Sequence, residues 1–160
     1  MRTIPSGEPG RRRLLQGAIR SHLRELGIEL SLLNHHVGAH LGLSDVDLGA
    51  LNVIQRHGPL SPSALAMRCG LHPATTTGVI DRLERSGWIG RERDLVDRRG
   101  VLLRFDPRRG GEMARLYGGM NASVRRILAE CDVEELRVVE RFLERTVDAS
   151  RQASSRLEQR

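Results

Sequence analysis

Ser61-Pro-Ser-Ala-Leu-Ala-Met-Arg-Cys-Gly70-Leu-His-Pro-Ala-Thr-Thr-Thr-Gly-Val-Ile80-Asp-Arg-Leu-Glu-Arg-Ser-Gly87 contains two helix openings and two helix stops. Ser61 followed by Pro62 is an N-cap with proline at the first helical position. The helix it opens carries Leu65 and Met67 and ends at Gly70. His72-Pro73 opens a second helix, which holds Val79, Ile80 and Leu83 inward and closes at Gly87. Two short helices joined by a three-residue turn containing glycine have the spacing of a helix-turn-helix.

Beyond Gly87 the period changes. Trp88 to Arg93 is a short strand candidate, and Val101, Leu103 and Phe105 alternate with Leu102 and Arg104 as in a half-buried strand. The polar stretch Asp94-Leu-Val-Asp-Arg-Arg-Gly100 joins them, so a hairpin wing directly follows the second helix. Upstream, Ser44 with Asp47 opens a helix through Leu48, Leu51 and Ile54 that stops at Gly58. Before it, Leu15, Ile19, Leu26, Leu30, Leu33, Val37 and Leu41 form one stripe along a long helix. One flank of such a helix is left over after packing on a small domain and can be buried against a second copy. Asp106-Pro107 opens a helix towards Cys131, weakened by Gly110, Gly111, Gly118 and Gly119. Asp132 with Glu135 is a capping box for a terminal helix carrying Leu136, Val139, Leu143 and Val147 on one side. The expected fold is mainly α with a small β-hairpin wing: a winged helix-turn-helix with N- and C-terminal dimerisation helices. Its expected divisions are a disordered tail at 1–10, a dimerisation helix at 11–42, the DNA-binding domain at 43–106 and further dimerisation helices at 107–160.

Composition bounds the function. The chain has 160 residues, 39% hydrophobic and only 2% aromatic, enough for one core built from aliphatic side chains, which favours helices. The net charge is +6 and every basic side chain is an arginine, whose planar fork suits phosphates and narrow grooves. Residues 82–109 hold nine arginines against five acids, four of the six net positive charges. Such a balance fits nucleic acid or an anionic membrane surface. Cys69 and Cys131 lie far apart without a CxxC spacing, which argues against a zinc ribbon or disulfide framework and for a reducing cytoplasm. No apolar run approaches bilayer-spanning length, and Met1 to Gly10 lacks an apolar signal core. No nucleophile elbow, phosphate loop or paired-carboxylate motif is present, so neither an enzyme nor a cofactor is expected.

On the second helix of the pair, the side opposite Val79, Ile80 and Leu83, with Thr76 at its edge, shows Ala74, Thr77, Gly78, Asp81, Arg82 and Arg85. Small residues at its start permit close approach to a groove floor, and Thr75 and Thr77 offer hydroxyls and methyls to base edges or phosphates. Arg98 and Arg99 fall at the hairpin tip, where a side chain can enter the minor groove. Asp97 beside them can hold a neighbouring arginine extended through a charge-assisted hydrogen bond. The run from Leu71 to Trp88, then Arg91, then Asp97-Arg-Arg-Gly-Val-Leu-Leu-Arg-Phe105, resembles the MarR family of regulators, strongly over about Leu43 to Gly110 and by layout in the flanking helices. The family's D-x-R at the wing is filled by Asp97 and Arg99. Two positions depart from the pattern: Gly78 stands where many members carry arginine, and Phe105-Asp106 where the second strand usually ends in Leu-Thr.

That resemblance implies a triangular homodimer with interlocked first and last helices, a recognition helix in the major groove and a wing in the minor groove of a near-palindromic duplex site. It places Thr77 and Arg82 towards the major groove and Arg99 towards the minor groove. The candidate DNA-binding set is Ser61, Ser63, His72, Ala74, Thr75, Thr77, Gly78, Arg82, Asp97, Arg98 and Arg99. The implied function is transcription regulation, as a cytoplasmic repressor or occasionally an activator, with release by a small aromatic acid. His36 and His40 are four apart on one helix face, and with His35 they define an alternative, a metal-responsive regulator. A structural or ligand-pocket histidine is the favoured reading of all three, since no acidic or Cys partner is near in sequence. A winged-helix module that binds a protein partner is a further alternative. Cys69 reads as a small buried residue rather than a redox sensor.

Overall fold

The computed structural model describes residues 7–94 and 100–158. It divides into two compact units, one ending at Gly49 and the other beginning at Ala50.

In the first unit, α1 runs Glu8–Leu41. It starts three residues inside the stretch 1–10 expected to be a tail. Pro9 presets the backbone angle of the first turn, and Glu8 sits at the positive end of the helix dipole. The helix ends on Gly42 in the left-handed region (φ 68°), with Leu43 N donating to Gly38 O at 2.9 Å. Gly38 is required by that turn, because a Cβ there would meet the Leu43 carbonyl oxygen at 2.9 Å. Val37, Leu43 and Leu48 are buried, whereas Leu15, Ile19, Leu26 and Leu30 of the predicted stripe are exposed. The second helix, α2 (Asp45–His57), opens as expected at Ser44, whose hydroxyl accepts from Asp47 N at 3.2 Å.

The second unit contains the winged helix-turn-helix. Its helices α3 (Pro62–Cys69) and α4 (Pro73–Arg85) occupy the predicted spans. Ser61 Oγ caps α3 by accepting from Ala64 N at 3.2 Å, and His72 Nδ1 accepts from Ala74 N at 3.4 Å. Gly87 (φ 72°) turns the chain into β1 (Ile89–Arg93), which pairs antiparallel with β2 (Val101–Phe105) in a register from Ile89–Phe105 to Arg93–Val101. Leu60, just before α3, exchanges two backbone hydrogen bonds with Leu103 of β2, at 3.2 and 2.8 Å. Leu51, Ile54, Leu65, Val79, Ile80, Leu83, Trp88 and Leu103 fill the core.

After the hairpin the structure corrects one expectation. Instead of a single weak helix from Asp106 towards Cys131 there is a 3-10 turn (Pro107–Arg109), α5 (Gly110–Leu116) and α6 (Gly118–Ala129). The break falls at Tyr117, immediately before the Gly118-Gly119 pair, where two glycines in succession give the helix little propensity to continue. The capping box is formed in full: Glu135 N donates to Asp132 Oδ1 at 2.8 Å and Asp132 N to Glu135 Oε2 at 2.9 Å. It opens α7 (Val133–Glu158), on which Val139, Leu143 and Val147 are exposed. Among the described residues, no helix is long and apolar enough to cross a membrane.

Candidate nucleic-acid interface

The faces of α4 separate as its sequence dictates. Thr76, Val79, Ile80 and Leu83 are buried, Thr76 more completely than the edge position expected for it. Its hydroxyl donates to His72 O at 3.1 Å, which satisfies it within the core. On the other side His72, Ala74, Thr75, Thr77, Arg82 and Arg85 are exposed, and Gly78 is half-buried. Thr77 Oγ1 donates to Pro73 O at 3.1 Å, so its proton is used within the helix while its lone pairs and methyl stay open. A Cβ added at Gly78 would lie 3.4 Å from Arg82 Nη1, so the space a side chain would take there is bordered by a guanidinium from the next turn. Ser61 and Ser63 lie together at the start of α3 with hydroxyl oxygens 3.0 Å apart, although Ser61 is committed to its cap.

The two acids on α4 are neutralised from the hairpin. Arg91 of β1 bonds Asp81 and also reaches Glu84, at 3.2 Å for the latter. Arg104 makes a two-pronged contact with Glu92 across the hairpin, at 2.9 and 2.8 Å, and this bond holds the Glu92 carboxyl below its usual range. The hydrogen bonds from Arg108, side chain first and then backbone, do the same for Asp106. By contrast, Arg85 and Arg93 form no ion pair among the described residues. In the sequence Arg93 stands only as the end of a strand candidate and is not among the expected DNA-binding residues.

Asp94 N donates to Gly100 O at 3.0 Å and closes the base of the wing. Asp97, Arg98 and Arg99, assigned to its tip from sequence, lie outside the described residues.

Behind the hairpin is a contact that no local pattern signals. The Arg109 guanidinium lies 3.6 Å over the fully buried ring of Trp88. It also donates to Ser86 O at 2.7 Å and through two nitrogens to Glu112, at 3.0 and 2.8 Å. One side chain therefore ties the end of α4, the root of β1 and the start of α5.

The histidines are not gathered as a metal site requires. His35 Nδ1 lies 3.0 Å from an Asp45 carboxylate oxygen, an acidic partner ten residues away that the sequence reading did not find. His40 Nδ1 donates to His36 O at 2.9 Å. Among the described residues no group of three His, Cys, Asp or Glu side chains could hold a metal ion. Both cysteines are half-buried free thiols, and burial pushes the Cys69 thiol up, as an inert small residue requires.

Comparison with known proteins agrees with this geometry. Residues 43–101 match the sequence model of the MarR family. An uncharacterized HTH-type transcriptional regulator of Bacillus subtilis, YcgE, is 28% identical over 136 residues, 85% of this chain and 88% of that protein. Among solved structures, a MarR family protein from Bacillus stearothermophilus is similar with a TM-score of 0.65 at 21% identity, over 86% of this chain and 96% of that one. Streptococcus pneumoniae FabT in complex with DNA is similar at 0.64 and 22% identity, over 86% and 99%. These structural likenesses establish the fold.

Proposed function

We propose that this chain, whose residues 43–101 match the sequence model of the MarR family, regulates transcription by binding duplex DNA as a homodimer. The observation that carries this reading is the open face of α4. Small and hydroxyl-bearing residues stand at its start, arginines at its end, and its carboxylates are already paired to Arg91. A helix with that surface enters a major groove without carrying uncompensated negative charge into a polyanion. In this reading Thr75, Thr77 and Arg82 read base edges, with Gly78 allowing close approach. Ser61, Ser63, His72 and Ala74 sit against the backbone, and Arg98 and Arg99, held by Asp97, follow the minor groove.

Two copies present two such helices about 34 Å apart, the repeat of one DNA turn, so the operator is near-palindromic. Support for the second copy comes from apolar side chains left exposed on α1 (Leu15, Ile19, Leu26) and on α7 (Val139, Phe142, Leu143, Val147). Residues 11–42 and 107–160 then supply the dimerisation helices. In this reading the bound dimer represses transcription, and a small-molecule effector that prefers a different spacing of the lobes releases it. Selection of bound duplexes from a random pool tests the reading. A two-fold symmetric motif, with affinity falling by a log–log salt slope of about −0.9 per neutralised phosphate, supports it. Binding without sequence preference, or by a monomer, overturns it.

A further inference from the structure

The two faces of the hairpin differ in charge. Successive residues of a strand point to opposite faces, and residues directly opposite one another in an antiparallel pair share a face. One face therefore carries Gly90, Glu92, Leu102 and Arg104, and there the Arg104–Glu92 pair cancels. The other carries Ile89, Arg91 and Arg93, with Phe105, Leu103 and Val101 opposite them. Ile89 and Leu103 are buried, and Arg91 bonds Asp81 and reaches Glu84, so this face is turned to α4.

Along β1 that face passes from a buried apolar anchor at Ile89 to a paired cation at Arg91 and then to an exposed cation at Arg93. Among the described residues Arg93 has neither an ion pair nor a hydrogen bond. The acids that could have served it are held by other arginines, Asp81 and Glu84 by Arg91 and Glu92 by Arg104. Its place along α4 follows from the path of the strand. Trp88 N donates to Leu83 O at 2.9 Å, and three residues later Arg91 bonds Asp81, so β1 runs back along α4 towards its N-terminal half. The two further residues to Arg93 cover about 7 Å, the rise of roughly four helical residues. That step carries Arg93 from the level of Asp81 towards that of Thr77 and Gly78, the open part of the face. An arginine there, without a counter-charge, offers a planar fork of donors that an oxyanion accepts from.

We propose that Arg93 is a phosphate anchor, which donates to a backbone phosphate of the duplex strand running between α4 and the hairpin. Such a contact carries no base information but fixes the depth and register at which a helix sits in its groove. The assignment rests on the reading of α4 as a DNA-binding helix. It adds a residue that lies outside that helix and outside the tip of the wing, and Arg91 is the tie that holds the strand bearing it against α4.

The test is fluorescence-anisotropy titration of the full chain at several salt concentrations, with a duplex bearing the selected motif and a scrambled duplex. Wild type is compared with R93Q, R93K and R104Q. Each copy in R93Q loses one phosphate contact, so the log–log salt slope of the dimer is expected to become shallower by about 1.8. Affinity at 0.15 M salt falls about tenfold, and by the same factor on both duplexes. R93K keeps the slope, because a phosphate accepts from an ammonium as well as from a guanidinium. R104Q makes the same change in charge on the opposite face of the same hairpin and leaves the slope unchanged. Circular dichroism melts check each fold, and R93M repeats the comparison should R93Q not fold. An unchanged slope in R93Q, with wild type binding steeply, overturns the anchor and leaves the DNA-binding reading standing. A loss confined to the selected duplex makes Arg93 a base reader and overturns it too. So does R104Q lowering the slope as far as R93Q, which would make the effect one of general charge. A wild type that binds neither duplex overturns the DNA-binding reading itself, and the anchor with it.

Discussion

Arg109→Met removes the guanidinium over Trp88 while keeping most of the side chain's volume, and its cost can be assembled from the contacts. A cation over a fully desolvated indole contributes about 1–2 kcal/mol. A charged donor to the Ser86 carbonyl at 2.7 Å contributes about 1.5 kcal/mol, and the partly exposed pair with Glu112 about 0.5 kcal/mol. Rotamer freedom regained by releasing a long side chain offsets about 1 kcal/mol of that total. The net destabilisation is then about 2–3 kcal/mol. For a chain of this size it lowers the melting temperature by roughly 4–12 °C. Trp88 is the only tryptophan in the sequence, so its fluorescence during urea unfolding follows this contact without labelling. Wild type and variant are compared at one protein concentration, so that any self-association affects both alike. Glu112→Gln serves as the internal control and costs less than about 1 kcal/mol, since it weakens only the partly exposed pair. A change below about 0.5 kcal/mol for Arg109→Met, with unshifted native emission, would refute the assignment of the contact as a structural tie. So would Glu112→Gln costing more than Arg109→Met.

Arg99→Ala is expected to weaken operator binding in a gel-shift titration with the thermal melt unchanged; an unaltered dissociation constant removes the wing from the interface. Thr77→Ala and Arg82→Ala should each reduce specific binding more than non-specific binding, by about 1–3 kcal/mol for a base contact. Equal losses assign those side chains to phosphates. Asp132→Ala breaks the capping box and should cost about 1 kcal/mol in chemical unfolding, while Asp132→Ser, which retains an acceptor, recovers most of it. Asp106 has its carboxyl lowered by Arg108, so the stability it contributes is complete above the ordinary carboxylate range and is lost as the pH falls through its depressed value. Asp106→Asn should therefore show a shallower loss of stability on acidification than the wild type, as read by melting temperature against pH.

The parts of the fold readable from the sequence are those whose causes are local. Ser61-Pro62, His72-Pro73 and the Asp132–Glu135 box each place a helix start through groups a few residues apart, and all three are found in the structure. Period alone separated buried Val79, Ile80 and Leu83 from the open face of α4, and it placed Leu103 inward on β2. Contacts between distant positions leave no periodic trace. Trp88 meets Arg109 and His35 meets Asp45 only because turns have brought their helices or strands together. The stop at Tyr117 was masked for a different reason: four glycines weaken helix propensity over a wide window and do not say where the chain will break. The open surface of α4 was legible, but the pairing of Asp81 and Glu84 with Arg91 needed the third dimension.

The double backbone link between Leu60 and Leu103 has a mechanical consequence. It fastens the returning strand of the hairpin to the segment from which α3 begins, so a tug on one is felt by the other. Within a single copy, the serines heading α3 and the arginine-rich hairpin would meet a duplex as one stiff implement. If two half-sites differ in groove width, the adjustment must come from a joint elsewhere in the assembly, or from the DNA itself bending to fit.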